Sequence, residues 1–576
     1  MIKKATAILL GLMLCGSMLG GCASKAPAPA PAAETSAAPA SGTAAPASET
    51  ATPASETAAL ATENHDAVTE AATDSGYSGE ITVSTLGGPG VDTGWQKVID
   101  AYKKVQPNVK INLELKPSEN YKDWLQKEVT SGTVRSDIVS GGPQVANGQW
   151  LDFFEYTNKV NPYTNAPWGD SIDMSQQKFI SPNGALEIVA TDGIKTLLVY
   201  NADKFAELGL QPPKTWDDLI TVSEKIKAAN YIPIAIGGNE DEFSGVMSWL
   251  LIIYGDQYTR DRIQYNRAQP GDYCYDEEVD GKWKYDPTDP YNDFPYKVTQ
   301  NVLRVFSNYV NDPKCSQDTP ATRQMMQNLG KVFPKYAPDG FFGVSDGGAY
   351  ALFLQQKALM YFGATWNIPT LYNDLQNIDA TVKRMKDNKV EIDPASLKSF
   401  KFSTVAYPSM TDSLAEAPVR GFEGAAPNFA VVSKDKAHND MVMDFVMFYT
   451  TGVNYSQYLN GLVAGGGTPS GIIIIKDAQM PAPYDTIMGG IKYGDGSVND
   501  YSTLLFRGVN NMGAIPEFAR EVYNYDKDYL EGKITIDEWG KRHQQNVVNN
   551  FSKFLEVFKI NPNDLKTPEK QPTSAQ

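Results

Sequence analysis

The sequence predicts an α/β fold, with helices packed on sheets, and two stretches carry that prediction. In the first, Ile81-Thr82-Val83 reads as a strand and a glycine-rich turn follows (Gly87, Gly88, Pro89, Gly90). Trp95, Val98, Ile99, Tyr102 and Val105 then recur at helical spacing, before Ile111, Leu113 and Leu115 alternate with polar residues as a second strand. In the second, the apolar run Thr196 to Tyr200 precedes a helix opened by Thr215, and Tyr231 to Ile236 returns as a strand. Strand, helix and strand in repeated succession place helices against a sheet.

The chain before this region is of another kind. Lys3 and Lys4 precede an apolar run, Ala5 to Leu19, that is short for a bilayer span, and Leu19-Gly20-Gly21-Cys22 follows. Residues 1–21 read as an export signal, and the last four residues resemble the bacterial lipobox, which implies cleavage before Cys22 and lipid on its sulfur. The alternative is an ordinary signal with a coincidental cysteine. One acyl chain holds a protein only marginally, whereas the two of a thioether diglyceride anchor it. Residues 22–76 are dominated by Ala, Pro, Ser, Thr and Glu, with Ala-Pro repeats at 26–31. Nothing there can bury a core, so a disordered leash of roughly 40 Å is expected, with order beginning near Gly79.

Within the folded region, Thr215 and Asp218 have the spacing of a capping box, and Leu219, Val222 and Ile226 give that helix a buried face. Val442, Phe445, Val446 and Tyr449 mark a later amphipathic helix. Residues 255–300, rich in Tyr, Asp, Asn and Pro, read as a loop-built insertion, and residues 566–576 as a tail. Cys274 and Cys315 can pair or stay as free buried thiols. Tyr493-Gly494-Asp495-Gly496-Ser497 lacks the alternating acids of a calcium loop and reads as a turn.

The 576 residues carry a net charge of −17, which becomes about −19 once Lys3 and Lys4 are removed. Such a surface repels phosphate backbones and anionic lipid, so nucleic acid is not an expected partner and membrane attachment needs the lipid. The three histidines, His65, His438 and His543, stand in no HExxH motif, and neither a CxxC pair nor a GxSxG elbow occurs. Zinc hydrolase and Ser-His-Asp chemistry are therefore disfavoured, and no metal or cofactor is expected.

Several segments, in order, resemble the extracellular solute-binding proteins of the maltose-binding type. Phe205-Ala206-Glu207-Leu208-Gly209 with Pro212-Pro213-Lys214-Thr215-Trp216-Asp217-Asp218-Leu219 is similar to the family's F-x-x-x-G-L-x-x-P-x-T-W-D-E-L signature and is the most specific match. Ser136-Asp137-Ile138-Val139 with Gly148-Gln149-Trp150-Leu151-Asp152, Gln356 to Trp366, Phe402 to Pro408, Gly424 to Val432 and Gly467-Thr468-Pro469 resemble further family segments. Gln356 stands where the family has glycine, and the 255–300 insertion is unusual. The resemblance covers roughly residues 79–560.

It implies a two-lobed, periplasmic-binding-protein-like fold, each lobe a sheet flanked by helices and joined by hinge crossovers near 195–200 and 415–425. The N-terminal lobe would comprise 77–195 and 415–460, and the C-terminal lobe 198–412 and 463–565. The ligand would bind in the interlobe cleft. Sugars offer CH faces to rings and hydroxyls to fixed polar groups. The resemblance places Trp366 at the family's stacking position and Asp192 at the entry to the first crossover. Asn239 and Glu240 follow a strand end, and Tyr121 and Trp124 begin a helix in the first lobe. Asp137, Gly141, Phe422, Glu423 and Asn428 are weaker candidates, whereas Trp168 and Trp249 are expected to be packing. The implied function is not enzymatic. A monomer, lipid-anchored outside the bacterial cell membrane, captures a sugar or oligosaccharide and hands it to the transmembrane subunits of an ABC permease. A peptide-binding or sensory protein and a carbohydrate-active enzyme are the alternatives.

Overall fold

The structure, a computed structural model, describes residues 76–573 except 141–148, 178–184, 244–245, 295–296, 426–428, 493–495, 499–514 and 559. In chain order the principal elements of the first lobe begin with β1 (Gly79–Leu86), α1 (Val91–Val105), β2 (Val109–Lys116), α2 (Ser118–Ser131) and β3 (Ile138–Ser140). The strand β4 (Asp192–Asn201) leads to α3 (Trp216–Ala228), β5 (Ile232–Ala235), α4 (Val246–Thr259), β6 (Ala358–Ala364), α5 (Asn367–Gln376) and β7 (Phe402–Val405). The return runs through β8 (Glu423–Ala425), β9 (Phe429–Val431), α6 (Lys436–Tyr449), α7 (Gly452–Ala464) and β10 (Ile472–Ile473), and α8 (Pro516–Leu530) and α9 (Ile536–Val557) follow.

Two sheets organise two lobes. In the first the order is β9-β3-β1-β2, with β1 parallel to β2 and β3, and Val83 opposite both Leu113 and Ile138. In the second the order is β8-β4-β6-β5, with β7 and β10 also pairing to β4. There β5 and β6 are parallel, and β4 is antiparallel to all its partners. Each sheet has its own apolar core. The first draws on residues from Ile81 to Ala190 and from Phe429 to Leu462, and adds Ile474 and Ile475. The second draws on residues from Leu198 to Phe422 and from Val498 to Leu555. The chain therefore passes between cores after Ala190, after Phe422 and after Ile475. Because Ile474 and Ile475 belong to the first core, the segment following Val463 does not pass directly into the second lobe.

Local chemistry explains the elements. The Thr215 hydroxyl accepts from the Asp218 N–H at 3.1 Å and the Asp218 carboxylate from the Thr215 N–H at 3.0 Å, closing the capping box on α3. The predicted loop at 255–300 is corrected at its start. Residues up to Thr259 complete α4, whose every described residue is buried, and Arg260–Arg262 and Ile263–Asn266 add further helical turns. The last turn of α4, Gly255-Asp256-Gln257-Tyr258-Thr259, is polar yet buried, with Asp256 bonded to Arg260 and Arg420 and Gln257 to Ser409, so its composition reads as loop. Irregular chain begins at Arg267.

Cys274 and Cys315 are both free, so the structure takes the unpaired alternative. Cys315 is buried beside Asn266, and burial pushes both thiols up to about 11. Trp168 and Trp249 are buried, as packing residues should be. Among the described residues no helix is long and apolar enough to cross a membrane.

Candidate functional site

Ligands of open α/β sheets bind beyond the carboxyl ends of the parallel strands. In the first lobe that edge is formed by Leu86, Lys116 and Ser140, the last residues of β1, β2 and β3. Tyr121 and Trp124, one turn apart on α2, stand over it with ring centroids 5.3 Å apart. The Tyr121 hydroxyl donates to the Ser140 carbonyl at 2.7 Å, which fixes the ring as part of the edge, and its body is buried. Trp124 is half-buried, and the Lys116 ammonium lies 4.7 Å from its ring centroid. Gly141, the next candidate along this edge, lies outside the described residues, as does Asn428.

The matching edge of the second lobe follows β5 and β6. Asn239 comes shortly after β5, its N–H donating to the Val344 carbonyl at 3.3 Å, and Glu240 is exposed and paired with Arg520 at 3.1 Å. Trp366 comes two residues after β6. The turn that presents it is tight, because a Cβ on Gly363 would stand 2.9 Å from both the Asn367 amide oxygen and the Tyr361 ring. That Asn367 oxygen accepts from the Ala364 N–H at 2.9 Å and starts α5. The Trp366 indole is half-buried and set edge-on to Trp249, with centroids 5.5 Å apart and planes at 85°. Its ring N–H is buried, with no acceptor among the described residues.

Between the two edges run the crossovers. Asp192, at the start of β4, accepts from the Tyr455 hydroxyl at 2.6 Å and the Ser470 hydroxyl at 2.8 Å. Glu423 is buried in β8 opposite Lys195 of β4, with Nζ and Oε1 2.8 Å apart, and it also accepts from the Tyr291 hydroxyl at 2.9 Å. Phe422 is buried in the second core. These carboxylates are engaged with the protein's own groups, so they hold the crossovers together. Asp137 is placed elsewhere. It precedes β3, away from the carboxyl edge, and accepts from the Thr82 N–H at 2.7 Å, Lys434 at 2.5 Å and His438 at 2.6 Å. Its role is to join β1 to α6.

The structure thus brings Tyr121 to Trp124, and Glu423 and Phe422 to the crossover strand, while Trp366 gains Trp249 as its neighbour. Sequence reasoning did not single out Lys195, Lys116 or the buried group formed by Asp256, Asp293, Arg260 and Arg420. Only the Asp256/Arg260 pair had a local signal, its spacing of four on one helix face. Lys195, Thr196, Tyr407, Arg420 and Glu423 line a cavity of about 20 Å³, room for one water. Among the described residues no group of three or more His, Cys, Asp or Glu could hold a metal ion.

Residues 88–454 match the family described as bacterial extracellular solute-binding protein. The multiple sugar-binding protein of Streptococcus mutans is 29% identical over 156 residues, 26% of this chain and 34% of that protein. An uncharacterized ABC transporter extracellular-binding protein of Pyrococcus horikoshii is 28% identical over 153 residues, again 26% and 34%. The matched region therefore spans about a third of the length of these relatives. Apo RafE from Streptococcus pneumoniae superposes with a TM-score of 0.51 at 15% identity, over 82% of this chain and 98% of that one. The bacterial solute receptor AcbH, described as preferring β-D-galactopyranose, gives 0.52 at 11% identity over 82% and 100%. At such identities the likeness is one of fold.

Proposed function

This chain belongs to the bacterial extracellular solute-binding protein family, and on that premise we propose that it captures a sugar or oligosaccharide between its lobes and delivers it to a membrane ABC importer. The observation that carries the sugar reading is Trp366. A half-buried indole on the carboxyl edge of the second sheet offers a flat apolar face, and its N–H has no acceptor among the described residues. A pyranose ring has the complementary CH face and hydroxyl oxygens. The multiple sugar-binding relative points the same way.

Binding energy drawn from both lobes favours the closed form, and the permease reads that difference. A glycoside hydrolase would need two carboxyl groups free to act across a sugar. Asp192 and Glu423 are held by Tyr455 and Ser470 and by Lys195 and Tyr291, an arrangement that favours binding over catalysis. We read Cys22 as the lipid-bearing residue, residues 22–76 as the leash, and the working unit as a monomer on the outer face of the cell membrane.

Thermal-shift measurements against mono- and oligosaccharides and a peptide panel test the reading. A saccharide at a hundred times its Kd should stabilise the fold by about 2.7 kcal/mol. Stabilisation by peptides alone would replace sugar transport with peptide capture, and release of shorter sugars would establish an enzyme.

A further inference from the structure

The irregular loop 267–294 is fastened to the second lobe. Asp272 takes both Nε and Nη2 of Arg304 at 2.7 and 2.6 Å, and the Tyr273 N–H donates to the Glu569 carbonyl at 2.8 Å. From that anchorage the loop reaches the returning crossover at two points. Tyr291 donates to Glu423 at 2.9 Å. Asp293 takes Nη1 and Nη2 of Arg420, each at 2.7 Å, and the Pro290 carbonyl accepts from Nη1 at 2.9 Å. Glu423 passes the hold to the outgoing crossover through Lys195, its ladder partner. Lys195 is bound in turn to second-lobe chain, its ammonium donating to the Lys492 carbonyl at 2.8 Å and its carbonyl accepting from the Thr365 N–H at 2.9 Å.

The first lobe's hold on β4 ends just short of this point. Asp192 is tied to Tyr455 of α7, and the Thr191 carbonyl accepts from the Ile474 N–H at 2.8 Å. Between Asp192 and Lys195 lie only Gly193 and Ile194. On one side Gly424 is the ladder partner of Ile194. On the other, the pairing of Ile472 with Gly193 brings Gly471 alongside Ile194. A Cβ on Gly471 would fall 2.0 Å from the Gly193 carbonyl oxygen, so the strands approach there as only glycine permits. Glycine is also the residue whose backbone changes φ and ψ at least steric cost, and hinges are a few residues that absorb such changes.

We infer that the loop 267–294 braces the crossover strands onto the second lobe and confines interlobe bending to one level, that of Gly193-Ile194, Gly424 and Gly471. The inference rests on the lobes moving against each other, as the proposed function requires, and not on what the ligand is.

Hydrogen exchange on the ligand-free, full-length protein tests it. The amides of 193–194, 424–425 and 471–472 should exchange about tenfold faster than those of 196–199. Tyr291→Phe should raise exchange across 420–423 by a similar factor and leave 81–86 unchanged. If Tyr291→Phe does not fold, Asp293→Asn carries the same expectation. Uniform protection from 190 to 199 in the native chain, or unchanged exchange at 420–423 in the folded variant, overturns the brace. No sugar is present in the measurement, so failure of sugar binding would not produce either result.

Discussion

Arg420 meets Asp256 with two parallel hydrogen bonds, Nε to Oδ2 at 3.0 Å and Nη2 to Oδ1 at 2.7 Å, and both side chains are fully buried. Burial works against the Asp256 carboxylate, but Arg260 and Arg420 together outweigh it and hold the carboxyl below its usual range. With Asp293 on the other edge of the Arg420 guanidinium, two acids and two arginines form a neutral buried group. Such a group is worth little over an apolar replacement but is costly to break.

Arg420→Ala should therefore lower stability by about 3–5 kcal/mol, because it removes from the core the guanidinium that Asp256 and Asp293 share. Urea denaturation gives the figure. A loss under 1 kcal/mol would show that the two carboxylates find other partners.

Asp137→Ala should cost about 3 kcal/mol of stability, since it leaves the Thr82 N–H without its acceptor and removes the carboxylate shared by Lys434 and His438. Ligand affinity should stay within twofold of the native value in calorimetry at about 25 °C. A large loss of affinity in a stable variant would return Asp137 to the binding site.

The capping box at Thr215 and Asp218 was legible because it spans only four residues and is complete in itself. Asp137 was not, since its partners Lys434 and His438 stand 297 and 301 residues away and nothing local announces them. The same holds for the hinge. The sequence marks the region of the crossovers, but the meeting of Gly193, Gly424 and Gly471 depends on strand register between segments more than two hundred residues apart. Trp366 itself was legible through the resemblance, whereas Trp249 as its neighbour came only from packing.

Between α8 and α9 two buried groups should give opposite pH dependence. Burial raises the Asp526 carboxyl to about 7, against a modest opposing hydrogen bond from Trp539. Burial, with Arg262 nearby, lowers His543 to about 3. Asp526 contributes stability that is full below about pH 4 and lost as pH rises through about 7, whereas His543 contributes stability present above about pH 6.5 and lost as pH falls toward about 3. In the native chain the slopes oppose each other between pH 4 and 6.5. His543→Gln should expose a fall in stability with rising pH, and Asp526→Asn a rise, each approaching about 1.4 kcal/mol per pH unit. Parallel slopes in the two variants would contradict the assignment.

Cys22→Ser should release the protein into the medium and abolish its labelling by palmitate, because an acidic chain has no electrostatic hold on anionic lipid. Membrane retention of the variant would point to a different attachment.

Trp366 decides the sugar reading. Its indole leans edge-on against Trp249, so one side is committed to packing, while the buried N–H has no acceptor among the described residues. Truncation to alanine removes both the stacking face and that donor. Sugar binding should weaken by about 2 kcal/mol or more, roughly thirtyfold in Kd, as expected of an aromatic anchor. The fold should lose less than the about 3–5 kcal/mol typical of a fully buried tryptophan, because the side chain is only half-buried. Trp366→Phe separates the two contributions, keeping a ring for the CH face while removing the N–H. Calorimetry and chemical denaturation on the same variants distinguish the cases: if affinity survives in Trp366→Ala while stability collapses, Trp366 belongs to the core, and the sugar must be held by the aromatic pair at Tyr121 and Trp124.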